Sequence, residues 1–357
     1  MKKIEPLQGL RMILFLTIFI YHAATFDVIY ESTLHKLFFR GGGLIAVAYF
    51  FVLSGFVGAL SCEKIKNWNG ITYVEFLKKR IKQFYPLNAL FLILSLPLNI
   101  SLILGDLKES IIKFFYCIML LQSWNSDKAV WTAYNGVSWF LSTSLFLTAC
   151  LPILYIIYKK LCKVIINEAL LNKTIIVICA IGMCMCAYYV NDECAGYWLY
   201  AFPPVRLFDF IGGFCLARLY LMKDQCINAR KNNLLNCGII LIFFWYLVMF
   251  PYVKYSYSRA CIYFPGALIT IWGLATSDSF LERILSTKWM VSLGEGTLYF
   301  MLCHQVVLYY FSYVVNKVRL GNPIMGYLIL IIILLLIIMS YYIWKRIKKC
   351  HRLIQKM

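Results

Sequence analysis

Charge is scarce in this chain. Only 14% of the 357 residues are Asp, Glu, Lys or Arg and 62% are hydrophobic, where a soluble domain has about 25% and about 45–50%. Mean hydropathy is +0.75. An ordinary soluble protein is excluded, because the apolar residues fall in runs of 17 to 22 rather than singly. Acids are the scarcest charge, 16 against 35 Lys and Arg, for a formal net charge of +19. The 14 cysteines include no C-x-x-C pair, and no histidine stands at ligand spacing, so no metal site is expected. Cys179, Cys184, Cys186, Cys215 and Cys261 read as free thiols buried in apolar runs. G-x-S-x-G, a phosphate-cradling glycine loop and H-E-x-x-H are all absent, as are a fixed-period repeat and a low-complexity linker.

The apolar runs extend from residue 7 to residue 344 and leave no room for a separate soluble domain. The fold class is therefore all-α, a polytopic integral membrane protein in one transmembrane domain over residues 1–357. The lysines and arginines sit in short tracts between apolar runs, which is the positive-inside bias of a membrane protein and implies no nucleic acid. Windows of about 20 apolar residues, the length needed to cross roughly 30 Å of hydrocarbon, predict about ten transmembrane helices. They lie near 7–26, 43–61, 86–104, 137–158, 174–190, 205–222, 234–250, 260–277, 297–315 and 323–344. A shorter stretch, 111–123, carries Lys113 and is left out as an interfacial or re-entrant segment.

Lys2, Lys3 and Arg11 place the N-terminus in the cytoplasm, and Lys345, Arg346, Lys348, Lys349 and Arg352 place the C-terminus there too. An even number of crossings follows. The first run, interrupted by Arg11 and His22 and followed by no A-x-A site, reads as a retained signal anchor. Inside loops 62–85, 159–173, 223–233 and 278–296 then carry most remaining cations, among them Lys66, Lys223, Arg230 and Lys231. Lys317 and Arg319 in an outside loop go against the bias. Loop 62–85, with Trp68, Tyr73 and Phe76 beside a basic face, suits an interfacial helix.

A charge at mid-membrane costs at least about 2.5 to 3.5 kcal/mol on insertion scales, so ionisable residues within spans are functional candidates. They are Arg11, His22, Arg206, Asp209, Arg218 and His304. Arg11 and His22 stand eleven positions apart, and eleven steps of about 100° return to within roughly 20° of the start after a rise of roughly 16 Å. They share one helix face. That stripe suits an anionic donor entering from the cytoplasm, and equally a snorkelling arginine and a core histidine. Arg206 and Asp209, three apart, can simply neutralise each other, and His304 can serve as a hydrogen bond between helices. His22 and Asp27 satisfy the H-x-x-x-x-D signature of glycerolipid acyltransferases, a short pattern belonging to enzymes not built from ten spans.

Six segments in order resemble acyltransferase family 3, the polytopic O-acyltransferases of bacterial glycans. They are Gly9-Leu10-Arg11 with His22 after ten residues, Tyr49 to Phe56 (Y-F-F-V-L-S-G-F), and Phe76 to Leu87 with its basic run into Tyr85-Pro86. The others are Ser138 to Ser142 with Leu151-Pro152, Arg206 to Gly213, and Leu293 to His304. Two positions depart from the family's pattern: Gln83 stands where a second arginine is usual and Ser144 where many members have a glutamate.

The resemblance implies transfer of an acyl group, commonly acetyl, from cytoplasmic acyl-CoA to a sugar hydroxyl at the outer side of the cell membrane. Acetyl-CoA would be a donor substrate, with no tightly bound cofactor, and the partners are a glycan acceptor and the bilayer. Within that reading His22 is the general base, since imidazole titrates near neutrality. Arg11 and Arg80 bind the donor's phosphates. His304 holds the acceptor or the thioester carbonyl, and Ser54 with Gly55 permits close helix packing. The rival readings are a transporter of a small anion, a membrane acyltransferase of another class, and a degenerate, inactive member.

Overall fold

The computed structural model describes residues 4–65, 68–222, 233–318 and 322–354. Lys2, Lys3, Lys66, Lys223, Arg230, Lys231 and Arg319 lie outside the described residues, as does the side chain of Arg352. Among the described residues the regular structure is helical throughout, with no strand. Ten helices overlap the ten predicted windows. They are α1 (Glu5–His22), α2 (Gly42–Cys62), α3 (Gly70–Ser95), α4 (Trp139–Val164), α5 (Glu168–Tyr189), α6 (Pro203–Met222), α7 (Asn233–Met249), α8 (Phe264–Thr276), α9 (Thr297–Val318) and α10 (Pro323–Ile354).

Seven of these regions are long and apolar enough to cross a membrane, and eight if the bent α3 region counts as one span. The protein is a polytopic membrane protein. The shortfall from ten has physical reasons. Window 86–104 is not one helix: α3 begins at Gly70, where Asn69 and Thr72 form a reciprocal cap at 2.9 Å each way. It ends before Pro97, and the helical stretch after it is turned by 49°. Proline removes an amide donor and clashes with the carbonyl four residues back, so a break there is expected. The part of loop 62–85 expected to be helical forms the first part of α3. α6 has the length but carries Arg206, Asp209 and Arg218, all buried. α8 is 13 residues, roughly 20 Å, because Pro265 opens it and the preceding chain folds as a separate turn. Within 111–123 the helix Leu107–Ile118 has 12 residues, too short to span.

The outward surface is hydrocarbon-like. α10 exposes Leu328, Ile331, Ile332, Leu335, Leu336 and Met339, a face that in water would invite aggregation and in lipid is the solvated one. Cys179, Cys215 and Cys261 are buried as expected, whereas Cys184 is exposed and Cys186 half-buried. α2 is the most enclosed helix and packs on α1, α6 and α8. It meets α6 backbone to backbone, since a Cβ on Gly55 would collide with the Phe210 carbonyl and one on Gly213 with that of Val52. Small residues allow such approach, and close van der Waals packing drives helix association in lipid. α1 is pressed the same way onto the short helices Phe280–Leu285 and Lys288–Glu295, through Gly9 and Gly294. Its outer partner is α9, which sets the ends of the Arg11 stripe.

Candidate active site

α1 carries both ends of the site. Arg11 lines a cavity of about 170 Å³ with Arg80, Gln83, Ser54, Ser144 and Thr148. His22, at the last turn of α1, lines a second cavity of about 710 Å³ with Trp131, Trp139, Tyr200, Arg259 and Gln305. The two cavities share Phe140 and Met301 as walls. The stripe read from the sequence therefore joins two compartments rather than one groove.

At the inner end of the larger cavity His22 Nδ1 lies 2.9 Å from His304 Nε2. His304 Nδ1 lies 3.0 Å from the carbonyl of Phe300. A carbonyl only accepts, so His304 Nδ1 carries the hydrogen and, in the neutral ring, its Nε2 is an acceptor. His22 Nδ1 then donates to it, and His22 Nε2 keeps its lone pair. The partner that the other nitrogen finds fixes a histidine's tautomer in this way. His304 has 0% of its surface exposed and is held at both sides along α9. Asn135 Nδ2 donates to the Leu302 carbonyl at 3.0 Å, and Gln305 Oε1 accepts from the Val137 amide at 2.7 Å. Phe15 sits edge-on to its ring at 5.6 Å between centroids. His304 lines neither cavity and stands behind His22. Asp27 is exposed, and His22 pairs with His304, so no histidine–aspartate dyad of the glycerolipid kind is formed.

In the smaller cavity no acidic residue is among the lining groups. Arg80 lies over the Phe76 ring at 5.5 Å and donates from Nη1 to Gln83 Oε1 at 3.4 Å, so Gln83 steadies the arginine beside it. Ser144 Oγ is buried and has no hydrogen-bond partner among the described residues. A glutamate in its place would neutralise one of the two guanidinium groups; the serine leaves both charges facing the cavity. Ser54 points to this cavity, and close packing falls to its neighbour Gly55.

Arg206 and Asp209 do pair, Nη1 to Oδ2 at 2.7 Å, with 2% and 0% of their side chains exposed. The pair does more than neutralise itself. Arg206 Nε donates to the Tyr200 carbonyl at 2.9 Å, and Nη2 donates to the Arg259 carbonyl. Both carbonyls belong to residues that line the larger cavity. The pair thus ties two wall segments to α6 without lining either cavity. Arg218 is likewise structural, bonded to Glu63 and, at 3.2 Å, to Glu168.

Sequence reasoning missed Asn135, Gln305 and Arg259. A glutamine next to a histidine inside an apolar run was the available signal for Gln305; Arg259 lies in a short polar stretch that no span window emphasised.

The fold is an α-helical membrane bundle with a histidine pair at one cavity and two arginines at the next. The family model described as an acyltransferase domain matches residues 5–343, and the chain belongs to that family, acyltransferase family 3. The protein is a membrane acyltransferase, and the transporter reading falls away. The chain is similar to the acyltransferase MdmB of Streptomyces mycarofaciens, 25% identical over 341 residues that cover 91% of this chain and 81% of the relative. No solved structure matches.

Proposed function

We propose that the protein transfers an acyl group, acetyl in the simplest case, from acyl-CoA to a hydroxyl of a sugar or cell-surface glycan. The observation that carries this reading is the pair of cavities meeting at Phe140 and Met301, with two arginines and no acid on one and His22 on the other. Acyl-CoA brings several phosphate charges, which planar guanidinium groups bind in multidentate fashion. Arg11 and Arg80 hold them, and the pantetheine arm extends along α1, where Arg11 and His22 are roughly 16 Å apart by helical rise. The sugar occupies the larger cavity, whose aromatic walls offer faces for its ring.

The step balances with the chain's own groups. His22 Nε2 takes the proton of the acceptor hydroxyl as its oxygen bonds to the thioester carbonyl carbon. Collapse of the tetrahedral species breaks the carbon–sulfur bond, and the imidazolium returns the proton to the CoA thiolate. His304 accepts from His22 Nδ1–H throughout and steadies the charge that His22 gains, while the Phe300 carbonyl holds His304 in the required tautomer. In this reading the Arg11 end faces the cytoplasm, as both termini do, the protein sits in the cell membrane, and only the thioester enters it. Incubation of cells or membranes with radioactive acetyl-CoA, with and without the gene, tests the reading. Gene-dependent label in surface glycan is the expected result, and its absence with the protein present and folded rejects it.

A further inference from the structure

The larger cavity holds a charge that acyl transfer to a plain sugar does not use. Arg259 lines it, half-buried, at the end of the short helix Tyr255–Arg259. Its guanidinium carbon lies 4.5 Å from the centre of the Tyr255 ring and 5.1 Å from that of Tyr200. Its Nε is buried and makes no hydrogen bond, and the side chain forms no ion pair among the described residues. Its backbone is meanwhile fixed, because Arg206 holds the carbonyls of both Arg259 and Tyr200. The other charged residues lining the cavity, Lys128 and Glu193, are exposed. Both face water, which leaves Arg259 as the enclosed cation among the charged residues lining the cavity.

A partly desolvated arginine with donors unfilled is costly unless a counter-charge arrives. Tyrosine rings on two sides keep the guanidinium flat and aimed, a geometry suited to a carboxylate or phosphate taken in bidentate form. The same chain's donor phosphates already have Arg11 and Arg80, in the other cavity. Resting on the reading of the larger cavity as the acceptor compartment, we propose that the acceptor carries an anionic group, a carboxylate or a phosphate ester, which Arg259 binds. The acceptor is then an acidic sugar, such as a uronic acid or a glycosyl phosphate, rather than a neutral one.

The test is binding without acyl transfer. Detergent-purified protein is titrated calorimetrically with methyl glucuronide, glucose 1-phosphate and methyl glucoside. At least one anionic sugar should bind about tenfold or more tightly than the neutral one, and the stronger of the two identifies the anion's source. Arg259→Gln should bring that ligand down to the neutral level, and Arg259→Lys should keep part of the difference. Adenosine 3′,5′-bisphosphate, the head of CoA, reports folding of the variant and tests the donor site: its affinity should survive Arg259→Gln and fall in Arg80→Gln. Equal binding of the three sugars, no saturable binding by either anion, or an equal loss of all three in Arg259→Gln overturns the proposal. So does loss of the bisphosphate in Arg259→Gln instead of Arg80→Gln, which would make Arg259 a donor contact. A preserved anion preference with no label transferred from acetyl-CoA to any sugar rejects the acyl-transfer chemistry and leaves the anion site standing.

Discussion

His22 and His304 stand 282 positions apart in the chain, and their ring nitrogens Nδ1 and Nε2 stand 2.9 Å apart in space. The contact joins the end of α1 to the middle of α9 and turns two isolated histidines into a directed pair.

His22→Ala should lower turnover by about 10² to 10⁴, the usual contribution of a general base, with insertion and thermal melting nearly unchanged. His304→Ala should be milder, on the order of 10- to 100-fold, the range reported when a group orienting a metal-bound imidazole is lost. Its effect should fall on kcat more than on the acceptor KM, because His304 lines no cavity. His304→Gln, which can still accept from His22 Nδ1–H, should recover part of the rate. If His304→Ala raises the acceptor KM alone, His304 contacts substrate and the positioning role is wrong.

The arginine cavity leads to a different signature. Arg11→Ala and Arg80→Ala should each raise the KM for acyl-CoA by roughly 10-fold or more, the effect of losing a hydrogen bond to a charged group, about 1.5–3 kcal/mol. Arg80→Lys should recover only part, since an ammonium cannot form the planar fork. Donor KM unchanged in all three variants, with folding intact, would remove the donor role from both residues.

How much of this was legible in the sequence depended on whether the determining physics was local. The positions of nine of the ten helices follow from apolar length, α3 being the exception, and the Arg11–His22 stripe follows from helical period alone. Arg206–Asp209 also pair within one helix. The break before Pro97 and the short α8 were not seen, because a hydropathy window averages over a proline that ends or opens a helix. The partner of His304 was invisible for another reason. Both histidines are polar residues in apolar runs, and only the crossing of α1 with α9 decides that they face each other. Nothing in the sequence singles out Arg259, and only the fold sets it between Tyr255 and Tyr200.

Topology gives a prediction independent of the chemistry. With Leu107–Ile118 too short to cross, a reporter fused after Lys163 should read as cytoplasmic, together with both termini. An external reading there would mean either a further crossing before α4 or that the bent α3 region does not cross, and would reverse the side on which α5 begins.

The last prediction concerns the buried pair that ties the wall of the larger cavity together. Asp209→Asn removes the only carboxylate bonded to Arg206 among the described residues and leaves an enclosed guanidinium uncompensated, which should cost about 3–5 kcal/mol. A marked fall in melting temperature in detergent is the expected outcome. Replacing both, with Arg206→Met and Asp209→Leu, removes the charge problem, so stability should largely return. The hydrogen bonds to the Tyr200 and Arg259 carbonyls do not return with it. The double variant should therefore melt near the parent temperature, bind acyl-CoA normally, and show a raised KM for the acceptor. Normal acceptor kinetics in a well-folded double variant would show that the pair serves helix packing alone. A double variant as unstable as Asp209→Asn would show instead that the carbonyl contacts, more than the charge balance, hold α6 to its neighbours.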